Sequence, residues 1–124
     1  MKRTLSNSYK YYYEKASIFS QQLDSQEINK FISLINQNKK YSILDMGCAE
    51  GELSIAFAKK GHDVTAADIS EKQINKVIEK ITNQSININA ICCNIENNVN
   101  IFENKKFDYI FFMDVLEHLK SPLV

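Results

Sequence analysis

The sequence has little of several residue types, and each shortage argues against a class of protein. It contains a single arginine, Arg3, together with one Pro, three Gly and no Trp in 124 residues. Its 15 basic and 15 acidic side chains cancel, so the chain lacks the basic surplus with which general nucleic-acid binders neutralise phosphates. With one Arg, bidentate recognition of phosphate or guanine is nearly absent as well. The composition therefore argues against a nucleic-acid partner.

Cysteine and long apolar runs are also scarce. The cysteines Cys48, Cys92 and Cys93 are odd in number and two are adjacent, which is a poor disulfide framework, and no Cys/His cluster has the spacing of zinc ligands. Residues 1–10 lack the apolar core of a signal peptide, and no stretch reaches the roughly 18 apolar residues of a membrane-spanning helix. We therefore expect a cytoplasmic protein with no metal site and no membrane partner.

The residues that are present, 44% hydrophobic and 24% charged, have the composition of a globular protein. A length of 124 residues is that of one domain. Residues 1–40 are predicted to form an N-terminal helical cap, because aromatic residues recur at helical spacing in Tyr9–Gln22. Asp24 and Glu27 have the spacing of a capping box that opens a second helix. That helix is predicted to bury one apolar face, formed by Ile28, Phe31, Ile32 and Ile35.

From residue 41 onward, strand and helix patterns alternate. One helix is predicted after Gly51, and a second opens at the Ser70 and Gln73 capping box. The stripe of that second helix comprises Ile74, Val77, Ile78 and Ile81. The predicted strands are Tyr41–Met46, Asp63–Asp68, Ile86–Cys93 and Phe107–Phe112. Such alternation predicts an α/β fold, a Rossmann-like doubly wound parallel sheet with right-handed crossovers.

Two features mark the carboxyl ends of the first two predicted strands. The first strand runs into a turn of small residues, Gly47, Ala49 and Gly51, which allows a ligand to approach the backbone closely. The second strand ends in Asp68, where an acidic side chain is placed to accept hydrogen bonds from ribose hydroxyls. Together these features predict a cofactor that contains a nucleoside.

The spacing of the turn separates two kinds of cofactor. A dinucleotide fingerprint needs Gly-x-Gly-x-x-Gly, and here the third glycine, Gly51, is out of place. Asp45, just before the turn, would repel a pyrophosphate but suits an ammonium or sulfonium group. These points favour S-adenosylmethionine over NAD, and an NAD-dependent oxidoreductase stays as the alternative.

Two segments resemble motifs of a known family. Leu44–Gly51 is similar to the first motif of class I S-adenosylmethionine-dependent methyltransferases, and Phe107–Leu119 is similar to their fourth motif. The resemblance covers about residues 41–122 and is nearest to the small-molecule branch that includes ubiquinone-biosynthesis O-methyltransferases. It implies an enzyme that transfers the methyl group of S-adenosylmethionine to an oxygen or nitrogen of a small-molecule acceptor.

The resemblance also implies which residues contact the cofactor. At the methionine end these are Asp45, the Gly47 backbone and the backbone of Met113. The turn residues completing this part of the site are Cys48, Ala49 and Gly51. Ala49 stands where the family usually has Gly, which is tolerable if its φ is negative.

The nucleoside end is implied in the same way. Asp68 would bind the ribose hydroxyls and Ile69 would pack on the adenine. Asn94 would face the adenine amino group, and Ile95 would offer its backbone N–H to the ring. The family often has Asp where this chain has Asn94, and the amide keeps an acceptor.

Methyl transfer needs alignment, and a base when the nucleophile is a hydroxyl. His118 is the candidate base, with a packing position as the alternative, whereas His62 follows Gly61 in a loop and is expected to be solvent-exposed. Asp114 and Glu117 form a capping box or, with His118, a divalent-metal site like that of small-RNA 2′-O-methyltransferases. The further downstream His of that metal motif is missing, so no metal is predicted.

The resemblance accounts for four strands, in the order 3-2-1-4, and places residues 41–124 in the cofactor-binding domain. Strand 4 would then be an exposed apolar edge, at which a second copy or a partner could pair. We expect residues 1–124 to be the cofactor-binding half of a longer enzyme, either truncated or completed by another chain. A catalytically incomplete binding fragment or scaffold is the alternative.

Overall fold

The computed structural model describes residues 24–36, 38–94, 102 and 104–112. Within these residues the helices are α1 (Ser25–Ser33), α2 (Glu52–Lys59) and α3 (Glu71–Asn83). The strands are β1 (Ser42–Met46), β2 (Asp63–Asp68), β3 (Asn89–Cys92) and β4 (Tyr109–Phe112). None of the helices in this part of the chain combines the length and apolarity needed to cross a bilayer. The predicted helix in Tyr9–Gln22 lies outside the described residues.

The strands form one parallel sheet in the order β3-β2-β1-β4, which confirms the predicted fold class and strand order. In the central pair, Asp45 of β1 lies opposite Ala66 of β2, and Met46 lies opposite Ala67. Parallel neighbours require crossover connections, which α2 and α3 provide. The carboxyl ends of β1 and β2 therefore meet at one edge of the sheet, where the turn after β1 begins.

The strand bounds follow the prediction closely for β2 and less closely elsewhere. The structure has β2 over the predicted residues, whereas β1 and β4 begin one and two residues later than predicted. The largest difference is in β3, whose ladder with β2 begins where Asn89 pairs with Thr65. Ile86 instead donates its backbone N–H to the Ile81 carbonyl at 2.9 Å, so it closes the end of α3.

The first described helix, α1, is more peripheral than predicted. Its capping box is confirmed, because Asp24 Oδ1 accepts from the Glu27 N–H at 2.8 Å and Glu27 Oε1 accepts from the Asp24 N–H at 3.3 Å. The prediction of a fully buried face was wrong: only Ile35, after the helix ends, is buried. Phe31 lies edge-on against Phe111 of β4 and stays half-buried, since α1 packs mainly against α2 and only partly against the sheet.

The buried face of α3 is rotated relative to the predicted stripe. Ile74 and Val77 are buried as predicted, but Ile78 is 44% exposed. Gln73 is buried in its place, at the amino-terminal end of the helix where Ser70 Oγ accepts its backbone N–H at 3.3 Å. The face of α3 that meets the sheet therefore includes the residues nearest the turn after β2.

The expectation that His62 is solvent-exposed was wrong. The side chain is 5% exposed, its Nδ1 accepts the Tyr41 N–H at 3.1 Å, and its ring stacks on that of Tyr41 with centroids 5.8 Å apart. Asp63 donates its backbone N–H to the Tyr41 carbonyl. This hydrogen bond holds the start of β2, and with it the preceding His62, beside Tyr41. Nε2 has no hydrogen-bond partner among the described residues. Burial lowers the pKa of His62.

Strand β4 forms the edge of the sheet at which pairing with a second copy or a partner was predicted. Within the described part of the sheet, β4 pairs with β1 alone, and Ile110 is 49% exposed. Pairing of this edge with a second copy or a partner stays a prediction.

Candidate cofactor-binding site

The turn between β1 and α2 has an unusual backbone conformation that small residues make accessible. Gly47, Ala49 and Gly51 all have positive φ, at 79°, 50° and 82°. Alanine was expected to be tolerated at position 49 if its φ were negative. The observed φ is positive, so this condition is not met. An alanine in this region carries strain of about 1–2 kcal/mol. The chain keeps it there because the turn is fixed by hydrogen bonds on both sides.

Those hydrogen bonds attach the turn to β2. The backbone N–H groups of Gly47 and Cys48 both donate to the Ala67 carbonyl, at 2.7 and 3.0 Å. The Gly51 N–H then donates to the Cys48 carbonyl at 2.9 Å, which closes the turn and starts α2. The backbone is therefore held against the end of the neighbouring strand.

Helix α3 holds the same turn from its other side. A Cβ atom on Gly51 would lie 2.9 Å from Val77 Cγ2, so only glycine allows this approach. Lys80 Nζ donates to the Glu50 carbonyl at 3.1 Å, and Lys76 Nζ lies 3.1 Å from Glu50 Oε1. The sequence prediction missed this contact between α3 and the turn.

Asp68 joins the turn to the amino-terminal end of α3. Its carboxylate is 1% exposed; Oδ2 accepts the Ala49 N–H and Oδ1 accepts the Ser70 N–H, both at 2.8 Å. Each carboxylate oxygen can accept more than one hydrogen bond, so a ligand hydroxyl can share an oxygen that a backbone N–H already contacts. The Ser70 contact has a local signal that was not used, since an Asp side chain often accepts the N–H two residues onward.

Asp45 is the second buried carboxylate at this edge, with 1% exposure. Ser54 of α2 donates its hydroxyl to Asp45 Oδ2 at 2.7 Å, whereas Oδ1 has no hydrogen-bond partner among the described residues. Burial raises the pKa of Asp45 to about 6, Ser54 opposes that rise and the Asp68 charge adds to it. A buried carboxylate with an oxygen free to accept is chemically suited to a cationic group.

Cys48, Ile69 and Asn94 are the other predicted site residues that lie within the described part of the chain. Cys48 is buried, and burial raises the pKa of its thiol well above the usual range, so the group is a neutral packing residue. The Cys93 N–H donates to the Asp68 carbonyl at 2.9 Å, which brings the end of β3, and half-buried Asn94, beside the end of β2. Ile69 is half-buried, and its carbonyl accepts from Cys92 Sγ at 3.5 Å.

Several predicted site residues cannot be placed. Ile95, Met113 and His118 lie outside the described residues, as do Asp114 and Glu117 of the metal alternative. In the part of the chain that the structure describes, no group of three or more His, Cys, Asp or Glu side chains could hold a metal ion. The described part of the site is thus the turn after β1 with Asp45 and Asp68 on either side.

A parallel sheet with this strand order places the chain in the Rossmann-like class of α/β folds. Residues 43–124 match a family model described as "Methyltransferase domain", and the chain belongs to this family.

Curated relatives support the same assignment. The chain is 40% identical over 80 residues to the ubiquinone biosynthesis O-methyltransferase of Coxiella burnetii, a match that covers 64% of this chain and 33% of the relative. It is 30% identical over 94 residues to the protein of the same name from Rickettsia canadensis, covering 76% of this chain and 39% of that relative. The match therefore spans about a third to two fifths of the length of these relatives.

Solved structures show the same fold. The PH0226 protein from Pyrococcus horikoshii superposes with a TM-score of 0.62 and 25% identity, over 92% of this chain and 47% of that protein. TehB from Haemophilus influenzae superposes with a TM-score of 0.59 and 24% identity, over 82% of this chain and 33% of that chain.

Proposed function

We propose that this chain is the cofactor-binding part of an S-adenosylmethionine-dependent methyltransferase that acts on a small-molecule acceptor. The observation that carries the proposal is the pair of buried carboxylates, Asp45 and Asp68, on either side of a turn of small residues. Family membership and the names of the curated relatives support it.

The two carboxylates suit the two chemically different ends of this cofactor. Asp45 Oδ1 is a buried acceptor without a partner among the described residues, and the cofactor's ammonium group is a donor that would satisfy it. The turn offers backbone and one methyl group at Gly47 and Ala49, so neither of these residues places a long side chain at the methionine end. We place Met113 at this end as well.

The nucleoside end lies at the carboxyl ends of β2 and β3. Asp68 would accept from the ribose hydroxyls alongside its contacts with the Ala49 and Ser70 N–H groups, since a carboxylate oxygen can accept more than one hydrogen bond. Ile69 and Asn94 follow the two strand ends that the Cys93 N–H links, which favours their assignment to the adenine. We assign Ile95 to the same ring.

The bound cofactor supplies the electrophilic methyl group on its sulfonium. The protein's contribution is to bind and orient that group beside the acceptor and to exclude water. Because the curated relatives are named as O-methyltransferases, we propose a hydroxyl oxygen as the acceptor atom, with nitrogen as the alternative. His118 is the candidate base for a hydroxyl acceptor, and a cytoplasmic location stays part of the proposal.

Calorimetric titration with S-adenosylhomocysteine tests the site. We expect the Asp68→Ala variant to bind more than about tenfold more weakly than the parent protein, because a buried hydroxyl pair loses its charged acceptor. Asp63→Ala is the matched control, since Asp63 is an exposed residue at the opposite end of the same strand. Equal affinity of the parent and the Asp68 variant would contradict the ribose assignment.

A second assay separates binding from turnover. Transfer of a radiolabelled methyl group from S-adenosylmethionine to a small-molecule extract should accompany binding if the protein is an active methyltransferase. Cofactor binding without any transfer would instead support the alternative of a non-catalytic binding fragment.

A further inference from the structure

The contact between Ser54 and Asp45 is a fully buried polar contact at the candidate site. Ser54 has no exposed surface and Asp45 is 1% exposed, and the hydroxyl lies 2.7 Å from Asp45 Oδ2. Gly51 is the N-cap of α2 and directly follows the turn, which brings Ser54, in the first turn of that helix, back over the end of β1. The fold therefore fixes both partners of this hydrogen bond.

This hydrogen bond makes the two oxygens of Asp45 different from each other. Oδ2 is engaged by the Ser54 hydroxyl, whereas Oδ1 is buried and has no partner among the described residues. A hydroxyl that donates to one oxygen restricts rotation of the carboxylate and leaves the other oxygen as the acceptor for a ligand. Charge-assisted hydrogen bonds of this kind are among the stronger polar contacts in proteins.

We propose that Ser54 is a positioning residue for cofactor binding: its hydroxyl orients Asp45 so that Oδ1 accepts the cofactor's ammonium group, and it favours the ionised carboxylate. This inference rests on the proposed function. Ser54 itself would not touch the cofactor, and it acts only through Asp45.

The charged and titratable groups around Asp45 explain why a single hydroxyl matters. Burial between the sheet and α2 opposes ionisation of Asp45 most strongly, and the charge of Asp68 on β2 opposes it as well. Cys48 in the turn stays protonated, because burial and both carboxylates raise the pKa of its thiol. The Ser54 hydroxyl and, to a smaller extent, the Ser54 backbone stabilise the ionised form, so removal of the hydroxyl shifts the balance towards a neutral carboxyl group that binds a cation poorly.

Titration of the protein without cofactor tests this effect directly. The midpoint for the Asp45 carboxyl carbon is followed by NMR in the parent protein and in Ser54→Ala. We expect the midpoint to rise by about one pH unit in the variant, since the ionised carboxylate loses a charge-assisted hydrogen bond. Ser54→Thr keeps the hydroxyl and should restore the parent midpoint.

A matched control removes a buried hydroxyl elsewhere. Thr65 is buried and lies opposite Leu44 in the β1–β2 register, so its side chain is on the face of the sheet away from Asp45. Thr65→Val should leave the Asp45 midpoint unchanged. If Ser54→Ala does not fold, Ser54→Cys carries the same prediction, because a thiol is a much poorer hydrogen-bond donor.

The second readout is the affinity for S-adenosylhomocysteine between about pH 5.5 and 8.5. We expect Ser54→Ala to weaken binding by roughly eightfold at pH 5.5 and by about threefold near pH 6.5, with almost no effect at pH 8.5, where Asp45 is ionised in both proteins. An unchanged Asp45 midpoint in Ser54→Ala, or equal loss of affinity at every pH, would overturn the proposal. Failure of the parent protein to bind this ligand would contradict the proposed function, whereas the NMR titration would still report whether Ser54 acts on Asp45.

Discussion

The backbone N–H of Ala49 donates a 2.8 Å hydrogen bond to Oδ2 of Asp68. This contact joins the middle of the turn after β1 to the last residue of β2. It holds Ala49 at a φ of 50°, which an alanine rarely adopts on its own. One carboxylate therefore contributes to the shape of the turn as well as to the proposed ribose contact.

The first prediction concerns the stability that Asp68 contributes. In Asp68→Asn one oxygen becomes an NH₂ group, which cannot accept, so the N–H of Ala49 or Ser70 loses its partner. We expect the free energy of unfolding to fall by about 1–3 kcal/mol, the penalty for an unpaired buried polar group. Urea denaturation measures this change in the free energy of unfolding. Asp63→Asn, at the exposed end of β2, should change it by less than about 0.5 kcal/mol, and an equally small effect at Asp68 would refute the bridging role.

The second prediction concerns the close approach of α3 to the turn. Gly51→Ala places a methyl group 2.9 Å from Val77 Cγ2 in a backbone conformation with φ of 82°. We expect a loss of stability of about 2–4 kcal/mol from strain and overpacking together.

Gly61 provides the matched control for that substitution. It has a φ of 92°, but a Cβ atom there would meet nothing within 4 Å. Gly61→Ala should therefore cost only the backbone strain, about 1–2 kcal/mol. Thermal or urea denaturation of the two variants isolates the contact with Val77, and equal losses would show that this contact is not restrictive.

The third prediction concerns the pH dependence introduced by Asp45. Its pKa is about 6 in the folded protein and 3.8 for an unperturbed carboxyl, so the unfolded chain releases the proton first as the pH rises. The contribution of this group to stability is complete below about pH 4 and is lost as the pH rises through 6, by about 3 kcal/mol.

Asp45→Asn should remove that dependence. Because the amide is neutral at every pH, we expect this variant to be more stable than the parent protein at pH 7 while binding S-adenosylhomocysteine more weakly. Denaturation at several pH values and calorimetry measure the two effects. A variant that is less stable at pH 7 would show that Asp45 is satisfied as a charged group in the cofactor-free protein.

The fourth prediction concerns His62, whose effect has the opposite sign. Burial lowers the pKa of His62, so on acidification the unfolded chain takes up a proton before the folded protein does. The stability associated with the neutral ring is present above the unfolded pKa and is lost as the pH falls through the folded value. His62→Gln keeps an acceptor in the region of the Tyr41 N–H but does not titrate. We expect urea denaturation to show that this variant loses less stability than the parent protein as the pH falls. An unchanged dependence of stability on pH would argue that protonation of His62 does not contribute to that loss.

The parts of the fold that were predicted correctly depend on local rules. The strand order and the bounds of β2 follow from short apolar runs that alternate with helical periods, and the Asp24 box follows from a fixed spacing. The positions of Asp45 and Asp68 at adjacent strand ends follow from the parallel topology.

The features that were missed depend on how elements pack after they form. Ser54 reaches Asp45 only because α2 folds back over β1, and no spacing rule encodes that hydrogen bond. His62 is buried because the start of β2 pairs beside Tyr41, although a histidine after a glycine resembles a loop residue. The left-handed conformation of Ala49 is likewise imposed by contacts from β2.

Calorimetric titration of the folded protein with S-adenosylhomocysteine and, separately, with NADH tests directly which cofactor this site binds. We expect saturable binding of S-adenosylhomocysteine and no measurable binding of NADH. Absence of S-adenosylhomocysteine binding at millimolar ligand, or binding of NADH alone, would contradict the assignment of this site to S-adenosylmethionine.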